Sequence, residues 1–397
     1  MDRLLPTPEA YELLELAREL ADGELARRVD DFEARGEFPR EVIRVLGRAG
    51  LLGLPYPEEV GGAGQPYEVY LQVVELLASR WLAVAEAVSV HTLSCFPVYA
   101  HGGEQLRKLL PDMLGGELLG AYCLSEPQGG SDAASLATRA VLEGETYVVT
   151  GTKAWITHAG HADFYNVFCR TGVPDGGGSR RPGRSASGAS AIRYSPGPNG
   201  ISCLLADAAT AGIVPQAPER TMGLRSSPVA QIAFDGARVP ADRLVGAAGG
   251  GFRIAMEALD SGRLGIAACA VGLAQGALDH AVGYAREREQ FGRSILDFQG
   301  IRFMLADAAT GIAAARALVL AAARLKDAGR PYAAEAAKAK LFATDTAMRV
   351  TTDAVQVLGG YGYVTDHPVE RYMREAKVLQ IVEGTNQIQR LVIAKSL

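Results

Sequence analysis

Glu383 stands where a carboxylate with a chemical task would stand. It is followed by Gly384 and by Thr385, a favoured helix N-cap, after which Ile388, Leu391 and Val392 fall at helical spacing. The pattern predicts a loop acid at the mouth of a helix, where backbone N–H groups point outward and can polarise a bound oxygen. The residues themselves leave open the plainer reading, a surface acid beside a helix dipole.

Four other segments carry chemistry-bearing residue types. The run Leu124-Ser125-Glu126-Pro127-Gln128-Gly129-Gly130-Ser131-Asp132 offers hydroxyls and open backbone amides that can wrap a polar cofactor, or simply make a turn. In Gly151-Thr152-Lys153-Ala154-Trp155-Ile156-Thr157, a Trp can stack on a flat ring while a Thr hydroxyl bonds its edge; a core Trp is the alternative. Arg288, in Arg286-Glu287-Arg288-Glu289-Gln290-Phe291-Gly292, suits a phosphate bidentately or is a solvated helix-end charge. In Gln356-Val357-Leu358-Gly359-Gly360, the glycines let another molecule approach the backbone. Several chemistries find no support. No G-x-G-x-x-G joins a strand to a helix, and there is no Walker A or G-x-S-x-G motif. His158 and His161 lack a third ligand nearby and read as solvent or cleft histidines, so no metal is expected.

The elements that must position these residues fall into three zones. Residues 1–117 read as a helical domain, with helices at 9–34, after Pro39, at 68–79 and at 104–114. Residues 118–240 read as a β domain of barrel or sandwich type, with short strands and a hairpin turn at Glu143-Gly144-Glu145. Within it, 172–200 is rich in Gly, Ser, Pro and Arg and is expected to be a dispensable surface loop. Residues 241–397 read as a C-terminal four-helix bundle, with helices at 252–287, 297–328, 331–358 and 368–381 before the terminal helix. The fold class is α+β. Hydrophobic residues make up 48% and charged residues 21%, with net charge −5, so nucleic acid is not an expected partner. The apolar stretch 312–325 is broken by Arg316 and Arg324 and reads as too short to span a bilayer. Five scattered cysteines without a C-x-x-C point to buried thiols and a cytoplasmic setting.

In this order and spacing, the segments together resemble the acyl-CoA dehydrogenase family over essentially the whole chain. Pro57 to Gly62, the 124–132 loop, Trp155-Ile156-Thr157, Met222-Gly223-Leu224-Arg225-Ser226, Arg288 to Gly292, Gln356 to Gly360 and Glu383-Gly384-Thr385 carry the likeness. Leu259-Asp260-Ser261-Gly262-Arg263-Leu264-Gly265-Ile266-Ala267 is closest to the short-chain (butyryl) branch. The resemblance implies FAD between the β domain and the C-terminal bundle. It assigns the flavin to Tyr122, Leu124, Ser125, Gly130, Ser131, Trp155, Ile156 and Thr157, and also to Thr385, Asn386 and Gln387. It assigns Phe291 and Gln299 to the cofactor as well, and passes Arg288 and the segment carrying Gln356, Val357, Gly359 and Gly360 to a neighbouring subunit's FAD in a homotetramer. Ser131, Asp260, Arg263 and Gly384 match positions that touch the CoA thioester.

Glu383 matches the family's catalytic base for α,β-dehydrogenation of an acyl-CoA, with electrons passed to electron-transferring flavoprotein. An α-proton of a thioester is too weakly acidic for a free carboxylate. The implied remedies are hydrogen bonds to the thioester oxygen and desolvation of the base on substrate binding. Some branches place the base at the position of Gly262, which here cannot serve. Phe96, beside Pro97, is expected to fill the depth of the acyl pocket and to set an optimum near C4 to C6. The runner-up expectations are the same reaction on an acyl carrier protein thioester, or a flavin oxidase or monooxygenase on this fold. His158, where the family usually carries Asn or a small residue, is a departure expected to matter only if it reaches the flavin edge.

Overall fold

The structure, a computed structural model, describes residues 5–174, 192–194 and 197–397. Helix α1 (Pro8–Leu20) starts where Thr7 accepts the Ala10 N–H at 3.2 Å. The single helix expected over 9–34 is broken by a π-turn at Ala21–Leu25, which contains Gly23, before α2 (Val29–Arg35). The break keeps Ala21, Leu25 and Val29 all buried. Helices α3 (Arg40–Arg48) and α4 (Tyr67–Ala78) follow. Next comes α5 (Leu82–His101), whose bounds are not marked in the sequence. It is buried on nearly every side, so it shows no polar face and hence no helical periodicity. The predicted helix at 104–114 is two short ones, α6 (Glu104–Arg107) and α7 (Leu110–Leu114), with Pro111 in the first turn of the second, where its missing N–H is tolerated.

Nine strands form one curled sheet: β1 (Gly120–Cys123), β2 (Arg139–Glu143), β3 (Thr146–Thr157), β4 (Phe164–Pro174), β5 (Ile192–Tyr194), β6 (Ile201–Asp207), β7 (Ile213–Pro215), β8 (Val229–Pro240) and β9 (Leu244–Val245). The order is β7-β8-β3-β2-β4-β6-β9, with β1 and β5 also on β4. The expected hairpin at Gly144 joins β2 and β3. β1 pairs with Phe164 to Val167 and β2 with Arg170 to Gly172, both parallel to β4. The chain therefore leaves the sheet between them, and residues 124–138 are the excursion. The loop expected over 172–200 is narrower than predicted: β4 runs on to Pro174, and Ile192–Tyr194 pairs back with it. Residues 175–191 and 195–196 lie outside the described residues.

The third zone holds α8 (Gly251–Glu287), a small hairpin β10 (Glu289–Gln290) and β11 (Arg293–Ser294), α9 (Gln299–Asp327), α10 (Ala333–Leu358), α11 (Val369–Leu379) and α12 (Asn386–Lys395). Gly359, at φ 60°, stops α10. The fourth bundle helix, α11, has only 11 residues. Helices α4 and α5 pack on α8, and one apolar cluster runs from Leu14 to Leu379. The two helical zones thus share a core, while the β zone has its own.

The apolar stretch 312–325, read as too short to span a bilayer, lies inside the longer α9. By length and composition α5, α8 and α9 are all long and apolar enough to cross a membrane. The most apolar windows of α5 and α8 are 89% and 78% buried within the fold, whereas that of α9 is 33% buried and leaves an apolar face outward.

Candidate active site

Glu383 sits in the turn between α11 and α12 with φ 51°, a left-handed backbone that costs a non-glycine residue roughly 1–2 kcal/mol. The turn is held from beneath. Lys340, fully buried on α10, donates from Nζ to the Gly384 carbonyl and to Asn386 Oδ1, both at 3.0 Å. Gln389 Nε2 donates to the same carbonyl at 2.8 Å, and the Thr385 hydroxyl caps α12 by accepting the Ile388 N–H at 3.3 Å. Burial draws the Lys340 ammonium down to about 8, against the pull of Glu383 and Asp345.

The Glu383 carboxylate projects toward α8. A Cβ on Gly262 would lie 2.1 Å from Oε2, so only glycine leaves the acid its place. Both carboxylate oxygens are sealed from solvent and accept no hydrogen bond among the described residues. Burial, followed by the nearby Glu86 carboxylate, pushes the acid up to about 8; Lys340 and Arg263 oppose this from a distance. Tyr67 and Tyr70 from α4, Tyr122 from β1 and Cys269 from α8 lie close enough to feel its charge. The desolvation expected to come with substrate is therefore already built into the fold.

A second buried acid organises the 124–138 excursion. Glu126 accepts from Lys153 Nζ at 2.8 Å, Ala137 N at 2.6 Å and Thr138 N at 2.9 Å, while Lys153 also donates to the Leu124 carbonyl at 3.0 Å. Burial raises the Glu126 carboxyl, but Lys153 and the backbone donors outweigh it and hold the group below its ordinary range. On the adjoining stretch of β3, Ala154 and Trp155 together face Gln231 of β8, a β-bulge. Trp155 adopts φ 62° there and turns its indole out, 63% exposed. Thr157, two residues on, donates to Glu86 Oε1 at 3.2 Å.

Arg288 opens a separate place. It lines a groove of about 640 Å³ with Tyr284, Val357, Gly359, Gly360 and Tyr361, its guanidinium 5.7 Å from the Tyr361 ring centre. Gly359 and Gly360 have nothing within 4 Å of a notional Cβ. The lining of this groove includes none of the residues of the 124–138 excursion or of β3.

The structure sorts the predicted residues. Trp155 presents its ring, Thr157 is half-buried, and Gly130, Ser131, Phe291, Gln299, Gln356 and Gln387 are exposed. Leu124 and Ser125 offer backbone carbonyls to Lys153 and to the Ala154 N–H. The Tyr122 hydroxyl donates to the Ala255 carbonyl, and Asp260 pairs with Arg263. Two side chains assigned to the flavin point elsewhere. Asn386 is buried on Thr344, Asp345 and Lys340, and Ile156 lies in the β core, so only their backbones remain for a ligand. Phe96 is half-buried on α5, its ring edge-on to His101 at 6.2 Å, while Tyr67 on α4 donates to the Ser261 carbonyl at 3.0 Å, next to the glycine that faces the base. His158 is no cleft histidine: it is fully buried, donates from Nδ1 to the Gly120 carbonyl at 2.9 Å, and is driven by burial down to about 3. Sequence reasoning assigned no role to Lys340, Lys153 or Glu86. The one available signal was Lys340 on the apolar face marked by Ala336, Ala337 and Ala343.

The donor set fits a long, two-ended cofactor. An outward indole beside a hydroxyl suits a flat heterocycle, and an arginine over open glycine backbone suits a pyrophosphate. Comparison with known proteins gives the same direction. Residues 7–117, 121–237 and 249–397 match the N-terminal, middle and C-terminal domains of acyl-CoA dehydrogenase. A short-chain specific acyl-CoA dehydrogenase of Clostridium acetobutylicum is 40% identical over 98% of this chain and 97% of its own. Among solved structures, butyryl-CoA dehydrogenase from Megasphaera elsdenii superposes with TM-score 0.90 at 37% identity, over 100% of this chain and 99% of that one. A chain in a structure of the electron transferring flavoprotein of Acidaminococcus fermentans superposes with TM-score 0.91 at 41% identity, over 100% and 99%.

Proposed function

Since the chain belongs to the acyl-CoA dehydrogenase family, with FAD as its cofactor, we propose that it dehydrogenates a short acyl-CoA to the 2-enoyl-CoA and passes the electrons to electron-transferring flavoprotein. The observation that carries the reading is the Glu383 carboxylate: sealed, unbonded, pushed to about 8 and facing the glycine notch of α8. A carboxylate kept dry and unpaired is a stronger base than one in water, and α-proton removal needs that strength. When bound, FAD supplies the acceptor for the β-hydrogen. Trp155 and Thr157 would hold its ring, and the 124–131 loop would wrap it. Glu383 takes the α-proton, Gly262 leaves the acid room, and Lys340 keeps the turn in place.

The short acyl chain is supported by the Asp260-to-Ala267 segment and by the 40% identity to a short-chain specific acyl-CoA dehydrogenase. Each methylene that fits adds about 0.8 kcal/mol, and the gain ends where overpacking begins. Anaerobic bleaching of the flavin by straight-chain CoA thioesters tests this. A maximum near C4 to C6 is expected, and a maximum at C12 or beyond overturns it. Stronger bleaching by an acyl carrier protein thioester would replace CoA as the carrier, and fast reoxidation of the bleached enzyme by O₂ would replace flavoprotein as acceptor.

The functional assembly is a homotetramer in which the Arg288 groove completes a neighbour's FAD site. The outward apolar face of α9 and the exposed rings of Phe291 and Tyr363 support this. An Arg288→Ala variant that remains a fully loaded tetramer would refute it. Five buried, unpaired thiols support a reducing, cytoplasmic setting.

A further inference from the structure

The Thr157 hydroxyl has one proton, and Glu86 takes it. Thr157 Oγ1 lies 3.2 Å from Glu86 Oε1, and an ionised carboxylate only accepts. What Thr157 turns toward a bound ring is therefore a lone pair. Ser227 donates to the other oxygen, Oε2, at 2.7 Å. Glu86 sits on α5, 5% exposed, and no cation pairs with it among the described residues. Two elements bond it, β3 through Thr157 and the segment before β8 through Ser227, and its charge reaches Cys269 on α8 and Glu383 in the catalytic turn. Burial raises the Glu86 carboxyl, and the two hydroxyl donors offset part of that rise.

We propose that Glu86 is a positioning residue for the flavin: it fixes Thr157 as an acceptor toward the ring edge and, when ionised, holds a buried negative charge beside the ring that lowers the cofactor's reduction potential. The inference rests on the FAD reading above and adds a residue to it. Reduction brings electrons and a hydrogen to the ring. A neighbouring anion opposes the added electrons, whereas a lone pair on Thr157 favours a ring N–H over a bare nitrogen. The same carboxylate faces Glu383, and two acids without a cation between them resist ionising together. Glu86 therefore also delays ionisation of the base, which Lys340 and Arg263 partly offset.

The sign follows from the raised carboxyl. Below its folded pKa, Glu86 is neutral and its charge no longer acts on the flavin; above it, the charge is present. The test is a dye-coupled redox titration of the FAD-loaded enzyme across mildly acidic to mildly alkaline pH. Glu86→Gln is expected to make the potential more positive, with the gap from the parent widening as pH rises. In the same variant the acidic limb of kcat/KM should move to lower pH. Ser227→Ala removes a donor that favours the ionised form, so the pH at which the gap opens should rise; this variant serves if Glu86→Gln does not hold FAD. Potentials identical to the parent at every pH, in a protein whose flavin is still bleached by acyl-CoA, overturn the role of Glu86 and leave the dehydrogenase standing. A flavin that no acyl-CoA bleaches in the parent overturns the reading on which both rest.

Discussion

Glu126 and Glu383 are both carboxylates sealed inside this protein, one in the excursion after β1 and one in the turn before α12. Glu126 accepts from an ammonium and two backbone N–H groups, and its acidity is held below the ordinary range. Glu383 accepts from nothing among the described residues and is pushed to about 8. Burial is common to both, so partners decide the outcome. A satisfied buried acid becomes a clamp that no proton reaches near neutral pH. An unsatisfied one stores basicity, and the fold must hold it in place by the backbone instead of by its carboxylate. Lys340 shows how: it bonds the Gly384 carbonyl and Asn386, not the Glu383 oxygens.

Exchanging the two roles tests the contrast. Glu383→Gln keeps the shape and removes the base, so flavin reduction should fall by about 10²–10⁴ or more while FAD and acyl-CoA still bind. Near-normal reduction would mean that some other group takes the proton. Lys153→Met takes the countercharge from Glu126 and should cost about 3–5 kcal/mol in chemical denaturation, with loss of bound FAD, because the backbone donors that remain carry no opposing charge. Adding Glu126→Gln should recover part of that loss; no recovery would show that Lys153 matters through packing. Gly262→Ala puts a methyl 2.1 Å from Glu383 Oε2 and should displace the acid, with about 1–3 kcal/mol of overpacking expressed in kcat more than in FAD content. The gentlest probe is pH. With the base near 8 and active only when deprotonated, kcat/KM should rise about tenfold per pH unit toward 8 and level off above it. Glu126 should contribute no inflection in that range, and a profile flat from neutral pH upward would show that Glu383 is already ionised.

Much of this was legible in the sequence, and the gaps have physical causes. Long amphipathic helices such as α8 to α10 announce themselves through periodicity, and Gly359 marks its own stop. The catalytic turn was readable because Gly384 and Thr385 are local signals. Helix α5 was not, since a helix buried all round has no polar face to reveal its phase. Glu86 and Lys153 were silent for another reason. Their partners, Thr157, Ser227 and Glu126, lie up to 141 residues away along the chain, and only the fold brings them within reach. The side chains of Asn386, Ile156 and Phe96 take orientations the sequence did not show. A resemblance carries a position, but which way a side chain turns depends on neighbours such as Lys340 and His101.

The packing of α5 against α8 also sets a timetable. During synthesis α5 is complete about 150 residues before the first residue of its partner helix. At ordinary translation speeds of about 5–20 residues per second, that is a wait of roughly 8–30 s in which α5 can pack on α4, α7 and β1 but its α8-facing side stays uncovered. The β zone, with a core of its own, is made and can close during this interval. The nascent chain is therefore most exposed to aggregation between the completion of its second zone and the arrival of α8, and a chaperone that shelters residues 82–101 would act in that window.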